Sequence, residues 1–115
     1  MRLGGLAVAV AIGVAAVAAC SDSTGSSSGG HGNNISVSNN VFNPATDTAA
    51  AADTVVFTWV NASNPHNVTW LTGPGTLPAN SSTMTTGMYK AKLAAGTYTY
   101  HCTIHSGMNG TIVAQ

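Results

Sequence analysis

The sequence contains very little charge. Lysine and arginine together number three, aspartate and glutamate also number three, and charged residues are only 5% of the 115 residues. So few charges create no strong electrostatic field, which argues against binding to nucleic acid or to an anionic surface. A chain of this length supports one small domain with one core.

Segments with a convincing helical pattern are also missing after the N-terminal run. The chain is instead rich in Thr, Ser, Asn and Gly, which favour strands and turns. In the stretch 53–61, Val55, Phe57 and Trp59 alternate with Val56 and Thr58. This period of two predicts a central strand covered on both faces. Further strands are predicted at residues 67–70, 88–93, 96–102 and 110–115, which together indicate an all-β Greek-key β-sandwich or barrel.

Two stretches have a less regular pattern. Ile35 and Val37 alternate with polar residues, and the alternation resumes only at residues 41–42. We predict one half-buried strand with a break or bulge near Asn39 and Asn40. The four alanines at 49–52 favour a helix by propensity, but four residues are too few to nucleate one. We predict an extended segment and a turn leading into Asp53.

The sequence has a single long hydrophobic run, from Leu3 to Ala19, and it ends in small residues before Cys20. This ending resembles a bacterial lipobox, in which the cysteine is lipidated and becomes the first residue of the mature protein. The alternatives are an ordinary signal peptide cleaved nearby and an uncleaved anchor helix. We predict a lipoprotein signal peptide at 1–19, a lipid-anchored flexible linker at 20–34 and a folded domain at 35–115.

This division predicts an exported protein, periplasmic or on the cell surface, that is anchored to the membrane by the lipid on Cys20. His31 lies in the linker and is interpreted as a solvated side chain. The predicted mature chain has two lysines against three aspartates, a net charge of −1.

Cysteine is scarce, since the chain has only Cys20 and Cys102. A disulfide would have to join these two, so lipidation or removal of Cys20 leaves Cys102 without a partner. Cys102 is then a buried core thiol, a nucleophile assisted by a histidine, or a metal ligand. A free nucleophilic thiol is exposed to oxidation in an exported protein, which weakens the second interpretation.

The stretch YHCTIHSGM favours the metal interpretation. Cys102, His105 and Met108 follow at intervals of three and offer a thiolate, an imidazole and a thioether. Two histidines, one cysteine and a distant axial methionine are the ligands of blue copper centres. His101 points to the opposite face of its strand from Cys102, so the second histidine must be elsewhere. His66 follows Pro65, which indicates the start of a strand or a loop, so His66 lies at the end of the sheet and is the candidate.

Three stretches, VFNPAT, TWVNASNPHNV and GTYTYHCTIHSGM, resemble the plastocyanin-type cupredoxins. The C-x-x-H-x-x-M spacing is similar to that of amicyanin, and the resemblance covers residues 35–115. It implies one type 1 copper ion, with Asn67 bonding toward the loop near Thr103. The ligands that it implies are His66, Cys102, His105 and Met108.

The resemblance also implies one-electron transfer by a protein that is not an enzyme, because four protein donors leave no open position for a substrate. We expect a monomer that meets its redox donor and acceptor near His105, through a neutral surface and a transient contact. The alternatives are a copper carrier or scavenger, an adhesion or structural domain, and a small copper enzyme. In nitrite reductases and laccases a histidine beside the cysteine leads to a second copper site, and His101 occupies that position.

Some turns differ from those of the family, and two further methionines could act as ligands. The residues at 51–53 and at 94–95 replace glycine-containing turns that are common in relatives. Met84 and Met88 offer alternative sulfur donors, although we expect them to fill gaps in the core.

Overall fold

The alternation of apolar and polar residues produces strands throughout the described part of the chain. The computed structural model describes residues 32–115, which form eight strands and no helix. No helix in this range has the length and hydropathy to cross a membrane. The predicted signal peptide, Cys20 and His31 lie outside the described residues, as does most of the predicted linker. The strands are β1 (Asn34–Ser38), β2 (Val41–Asn43), β3 (Thr46–Ala49), β4 (Thr54–Trp59), β5 (Thr69–Thr72), β6 (Gly87–Lys92), β7 (Gly96–His101) and β8 (Asn109–Ala114).

The strands form two four-stranded sheets. The first sheet has the order β2-β1-β4-β6 and the second has the order β3-β8-β7-β5. Two pairs are parallel, β1 with β4 and β3 with β8, and the remaining pairs are antiparallel. The prediction of an all-β sandwich is therefore confirmed.

The core lies between the two sheets and is rich in aromatic rings. Phe57 from the first sheet packs edge to face against Tyr100 and Trp70 of the second, at centroid distances of 5.2 and 6.1 Å. Full burial of such a side chain contributes about 1.5–3 kcal/mol. Gly110 lies opposite Tyr100 in the β7–β8 register, and a Cβ there would overlap the tyrosine ring. Glycine at this position is what lets the ring approach β8 so closely.

Two sequence-based predictions were wrong in detail. Strand β4 is central, but only one of its faces is covered, because the second sheet packs against the face that carries Val55, Phe57 and Trp59. Val56 and Thr58 are consequently half-buried and Val60 is exposed. The predicted break near Asn39 and Asn40 is a turn that joins two antiparallel strands, with Asn40 at φ 61°.

The alanine run was predicted correctly. It ends β3 and continues into a turn before β4 instead of forming a helix. Ala52 adopts φ 68° in this turn, a left-handed conformation that costs a side chain with a Cβ more than it costs glycine. Its amide donates to the Leu93 carbonyl at 2.7 Å.

Strand direction brings the candidate residues to one end of the sandwich, which we call the site end. Strand β7 runs into Cys102 there, and β5 begins beside it, since Thr69 pairs with His101. Strand β4 also points to this end and leads into His66 through residues 61–65, which we call the histidine loop. Asn34, at the start of β1, pairs with Val56 toward the opposite end.

Candidate metal centre

Three predicted donors converge at the site end. The ligand atoms of His66, Cys102 and His105 all lie within 4.8 Å of one another. Cys102 Sγ is 3.9 Å from His66 Nδ1 and 3.7 Å from His105 Nδ1. Protein sulfur and imidazole ligands lie about 2.0–2.3 Å from a small divalent ion, so donors at these separations fit around one shared ion.

His66 is held by its backbone. Its amide donates to the Met84 carbonyl and its carbonyl accepts from the Met84 amide, both at 3.0 Å. The Trp59 indole N–H donates to the same His66 carbonyl at 3.2 Å. The imidazole is fully buried, and its Nε2 has no hydrogen-bond partner among the described residues. Backbone pairing and packing therefore fix the direction of Nδ1.

The environment of His66 favours the neutral ring. Burial lowers the pKa of His66 below its ordinary value, and the neighbouring His105 lowers it further. A neutral imidazole has the free lone pair that a metal ligand needs.

The segment 102–108, which we call the cysteine loop, turns back on itself. The Cys102 amide donates to the Met108 carbonyl at 3.0 Å, and the Met108 amide donates to the His105 carbonyl at 3.3 Å. Gly107 has φ 82°, which glycine adopts without strain. The closed loop buries Met108 to 2% exposure and leaves His105 half-buried. His105 is thus the donor nearest to solvent.

Asn67 joins the histidine side of the site to the cysteine loop. Its Nδ2 donates to Thr103 Oγ1 at 2.7 Å, and its Oδ1 accepts from the Thr103 amide at 3.1 Å. Nδ2 also donates to Thr83 Oγ1, and Oδ1 also accepts from Thr69 Oγ1, both at 3.1 Å. This buried amide therefore connects three separate stretches of chain.

Sequence reasoning missed the segment 79–84, which we call the strap. It runs beside residues 66–70 and satisfies their backbone with side chains as well as with main chain. Ser81 Oγ accepts from the Val68 amide at 2.8 Å, and Asn80 Oδ1 accepts from the Trp70 amide at 2.9 Å. The strap has no strand periodicity, and its only signal in the sequence is a run of short polar residues.

The remaining candidates are not part of the cluster of three donors. His101 is half-buried in β7 between Thr69 and Asn109, and it does not belong to the cluster of donors. Met84 packs partly buried against the core, as predicted. Met88 is 62% exposed, so the expectation that it fills a gap in the core was wrong. It lies on β6 opposite Thr58, whose side chain is on the uncovered face of the first sheet.

The two-sheet fold and its cluster of donors define a cupredoxin. His66, Cys102, His105 and Met108 are arranged like a type 1 copper site, and soft sulfur with imidazole is the donor set that suits copper. A family model described as copper binding proteins of the plastocyanin/azurin family matches residues 31–115. The chain belongs to this family, as the sequence predicted, and copper is its cofactor.

Solved structures support this assignment. A mutant plastocyanin of fern is 26% identical with a TM-score of 0.61, and the match covers 71% of this chain and 99% of that one. A reduced amicyanin mutant is 28% identical with a TM-score of 0.60, covering 71% and 80% of the two chains. A copper-containing nitrite reductase from Thermus scotoductus is 21% identical with a TM-score of 0.59. That match covers 71% of this chain and 22% of the reductase, and it shows the fold alone. A search of curated proteins found no match.

Proposed function

We propose that this protein is a one-electron carrier whose type 1 copper ion is bound by His66, Cys102, His105 and Met108. The observation that supports this most directly is the convergence of one thiol and two imidazoles beside a buried methionine. Copper bound there would supply the change between Cu(I) and Cu(II), which moves one electron.

The protein's own contribution is to keep the donors in place while the charge changes. The Met84 bridge and the Trp59 indole hold His66, and Asn67 ties it to the cysteine loop. Residues that hydrogen-bond to metal ligands in this way orient the ligands and tune the bound metal. A site held on both sides needs little rearrangement when an electron arrives or leaves.

Electrons would enter and leave through the His105 edge. His105 is half-buried, and the neighbouring Ile104 is 47% exposed. The cysteine loop has no charged residue, and the two lysines of the described chain lie on β6. We therefore propose that a redox partner docks by neutral, partly apolar contact over a small area, with little electrostatic steering.

We also propose that the protein is exported and anchored through a lipid on Cys20. The chain enters the domain at the start of β1, near the end opposite the site. An anchor that precedes β1 would therefore be joined to the domain at the end opposite the His105 edge. Replacing Cys20 with serine should move the protein from the membrane to the soluble fraction, whereas Cys102→Ser should leave it at the membrane. If the Cys20 and Cys102 variants were found in the same fraction, the lipid anchor on Cys20 would be contradicted.

Adding Cu(II) to the purified metal-free protein tests the copper centre. We expect one equivalent to bind and to produce an intense visible absorption from thiolate-to-copper charge transfer. Cys102→Ser should abolish this band, while His101→Ala should retain it. A band that survives Cys102→Ser would rule out the proposed thiolate ligand.

Electron exchange separates a carrier of electrons from a carrier of copper. The copper-loaded protein should exchange electrons rapidly with a small redox protein, without releasing its ion. Transfer of the ion to an acceptor, with slow electron exchange, would favour the copper carrier. Turnover of nitrite or oxygen that is lost in His101→Ala would favour an enzyme.

A further inference from the structure

Asn39 connects the first sheet to the histidine loop. It lies in the turn between β1 and β2, yet its side chain makes three hydrogen bonds to residues 24 and 25 positions away. Its Oδ1 accepts from the Ser63 amide at 3.0 Å and from the Asn64 amide at 3.3 Å. Its Nδ2 donates to Ser63 Oγ at 2.8 Å.

These bonds fix the middle of a loop whose ends are held by other means. Before the loop, the Val60 amide donates to the Val37 carbonyl at 2.9 Å. After it, His66 pairs with Met84. Asn39 supplies the hydrogen bonds to the main chain in between.

Pro65 transmits the position of the loop to His66. The proline ring fixes its own φ, and it restricts the preceding Asn64 to extended conformations. The chain from Asn64 to His66 therefore has few free torsions, so a shift at Asn64 is passed on to His66. The two ends of this short link are bonded to Asn39 and to Met84.

We infer that Asn39 is a positioning residue for His66, a role that rests on the proposed copper function. It acts through the histidine loop and does not touch the metal donors. Without it, the loop should move more, and His66 should be less well placed for both oxidation states of copper.

Three variants test this inference. Asn39→Ala removes all three bonds, and Asn39→Asp keeps the oxygen that accepts from the two amides. Ser36→Ala is the matched control, because it removes a bond from Ser36 Oγ to the Asn43 carbonyl, at 3.1 Å, within the same hairpin. Amide hydrogen exchange is measured in the metal-free proteins, and copper affinity and electron self-exchange are measured in the loaded ones.

In Asn39→Ala we expect amide hydrogen exchange at Ser63 and Asn64 to accelerate about tenfold. This factor corresponds to the loss of about 1.4 kcal/mol of local hydrogen bonding. Copper affinity and electron self-exchange should both fall, and Asn39→Asp should restore most of each. Ser36→Ala should change none of these readouts.

The inference is overturned if Asn39→Ala accelerates exchange only in β1 and β2, or if Ser63 and Asn64 respond while copper affinity and self-exchange stay at the parent values. A failed copper function has a different signature. In that case the parent protein itself would show no thiolate-to-copper band, whereas the exchange data on metal-free protein would still report the loop contact.

Discussion

The two ends of the sandwich are held together in different ways. At the site end, buried or bridging side-chain amides join stretches that are distant in sequence, as Asn67 does with Thr103. At the opposite end, main-chain groups bond to each other, as when the Ala51 amide donates to the Gln115 carbonyl. A side-chain bond at that end, from Asn33 to Asp53, is exposed. We therefore expect single replacements to be more damaging at the site end than at the opposite end.

The largest contrast should come from replacing one asparagine at each end. Asn67→Ala leaves the Thr103 amide and the hydroxyl groups of Thr69, Thr83 and Thr103 without this partner, and should cost about 2–3 kcal/mol of unfolding free energy. Asn33→Ala removes one exposed bond and should cost less than about 1 kcal/mol. Urea denaturation measures both. Equal losses would show that the two ends do not differ in this respect.

Acid should destabilise the metal-free protein through the site end. The unfolded chain binds a proton at His66 near the ordinary pKa of 6.5, whereas the folded chain does so only at lower pH. The contribution of His66 to the unfolding free energy is therefore fully present above that pH. As the pH is lowered further, the unfolding free energy should decrease by up to about 1.4 kcal/mol per pH unit. Denaturation curves at successive pH values measure the slope. His66→Gln should remove this contribution and His101→Gln should retain it; identical slopes in the two variants would contradict the assignment.

Replacing the buried methionine should change the redox chemistry more than the fold. Leucine has a similar volume to Met108, so Met108→Leu should cost less than about 1.5 kcal/mol. Copper should stay bound by the other three donors, and the reduction potential should rise because the axial thioether is gone. Voltammetry and the visible spectrum measure both effects. An unchanged potential would mean that Met108 is not the axial donor.

The smallest effect, and one of opposite sign, is expected at the opposite end. Ala52 adopts φ 68°, so Ala52→Gly should relieve strain and raise the unfolding free energy by about 0.5–1 kcal/mol. Thermal denaturation measures the gain. Ala51→Gly, beside it in the turn but not among the positive-φ residues, should be neutral or destabilising. A spectrum altered by Ala52→Gly would show that the two ends are coupled.

The sequence predicted the candidate donors because their chemistry and spacing are local. Cys102, His105 and Met108 lie within seven residues, and the strand leading to Cys102 alternates clearly. The period of two likewise predicted β4 and β7 and their approximate bounds. The position of His66 after Pro65 made it the candidate for the second histidine, and a resemblance to a known family then implied the role of Asn67.

The contacts that cross the fold could not be predicted in the same way. Asn39 and Ser63 are 24 positions apart, and neither has a pattern that indicates the other. The strap uses side-chain oxygens where a strand would use its main chain, so it produces no periodicity. The exposure of Val60 depends on which face of the first sheet receives the second sheet, and alternation alone does not distinguish a half-covered strand from a fully covered one.

The bond from the Cys102 amide to the Met108 carbonyl has a consequence for how the protein can vary. It closes the cysteine loop at its base, where β7 and β8 are already paired through His101 and Asn109. Substitutions at the exposed Ile104 and Ser106 can therefore change the surface offered to a partner without shifting the strands below. With the docking proposed above, partner choice and copper chemistry would then be able to diverge separately among related proteins, although both would depend on one seven-residue stretch.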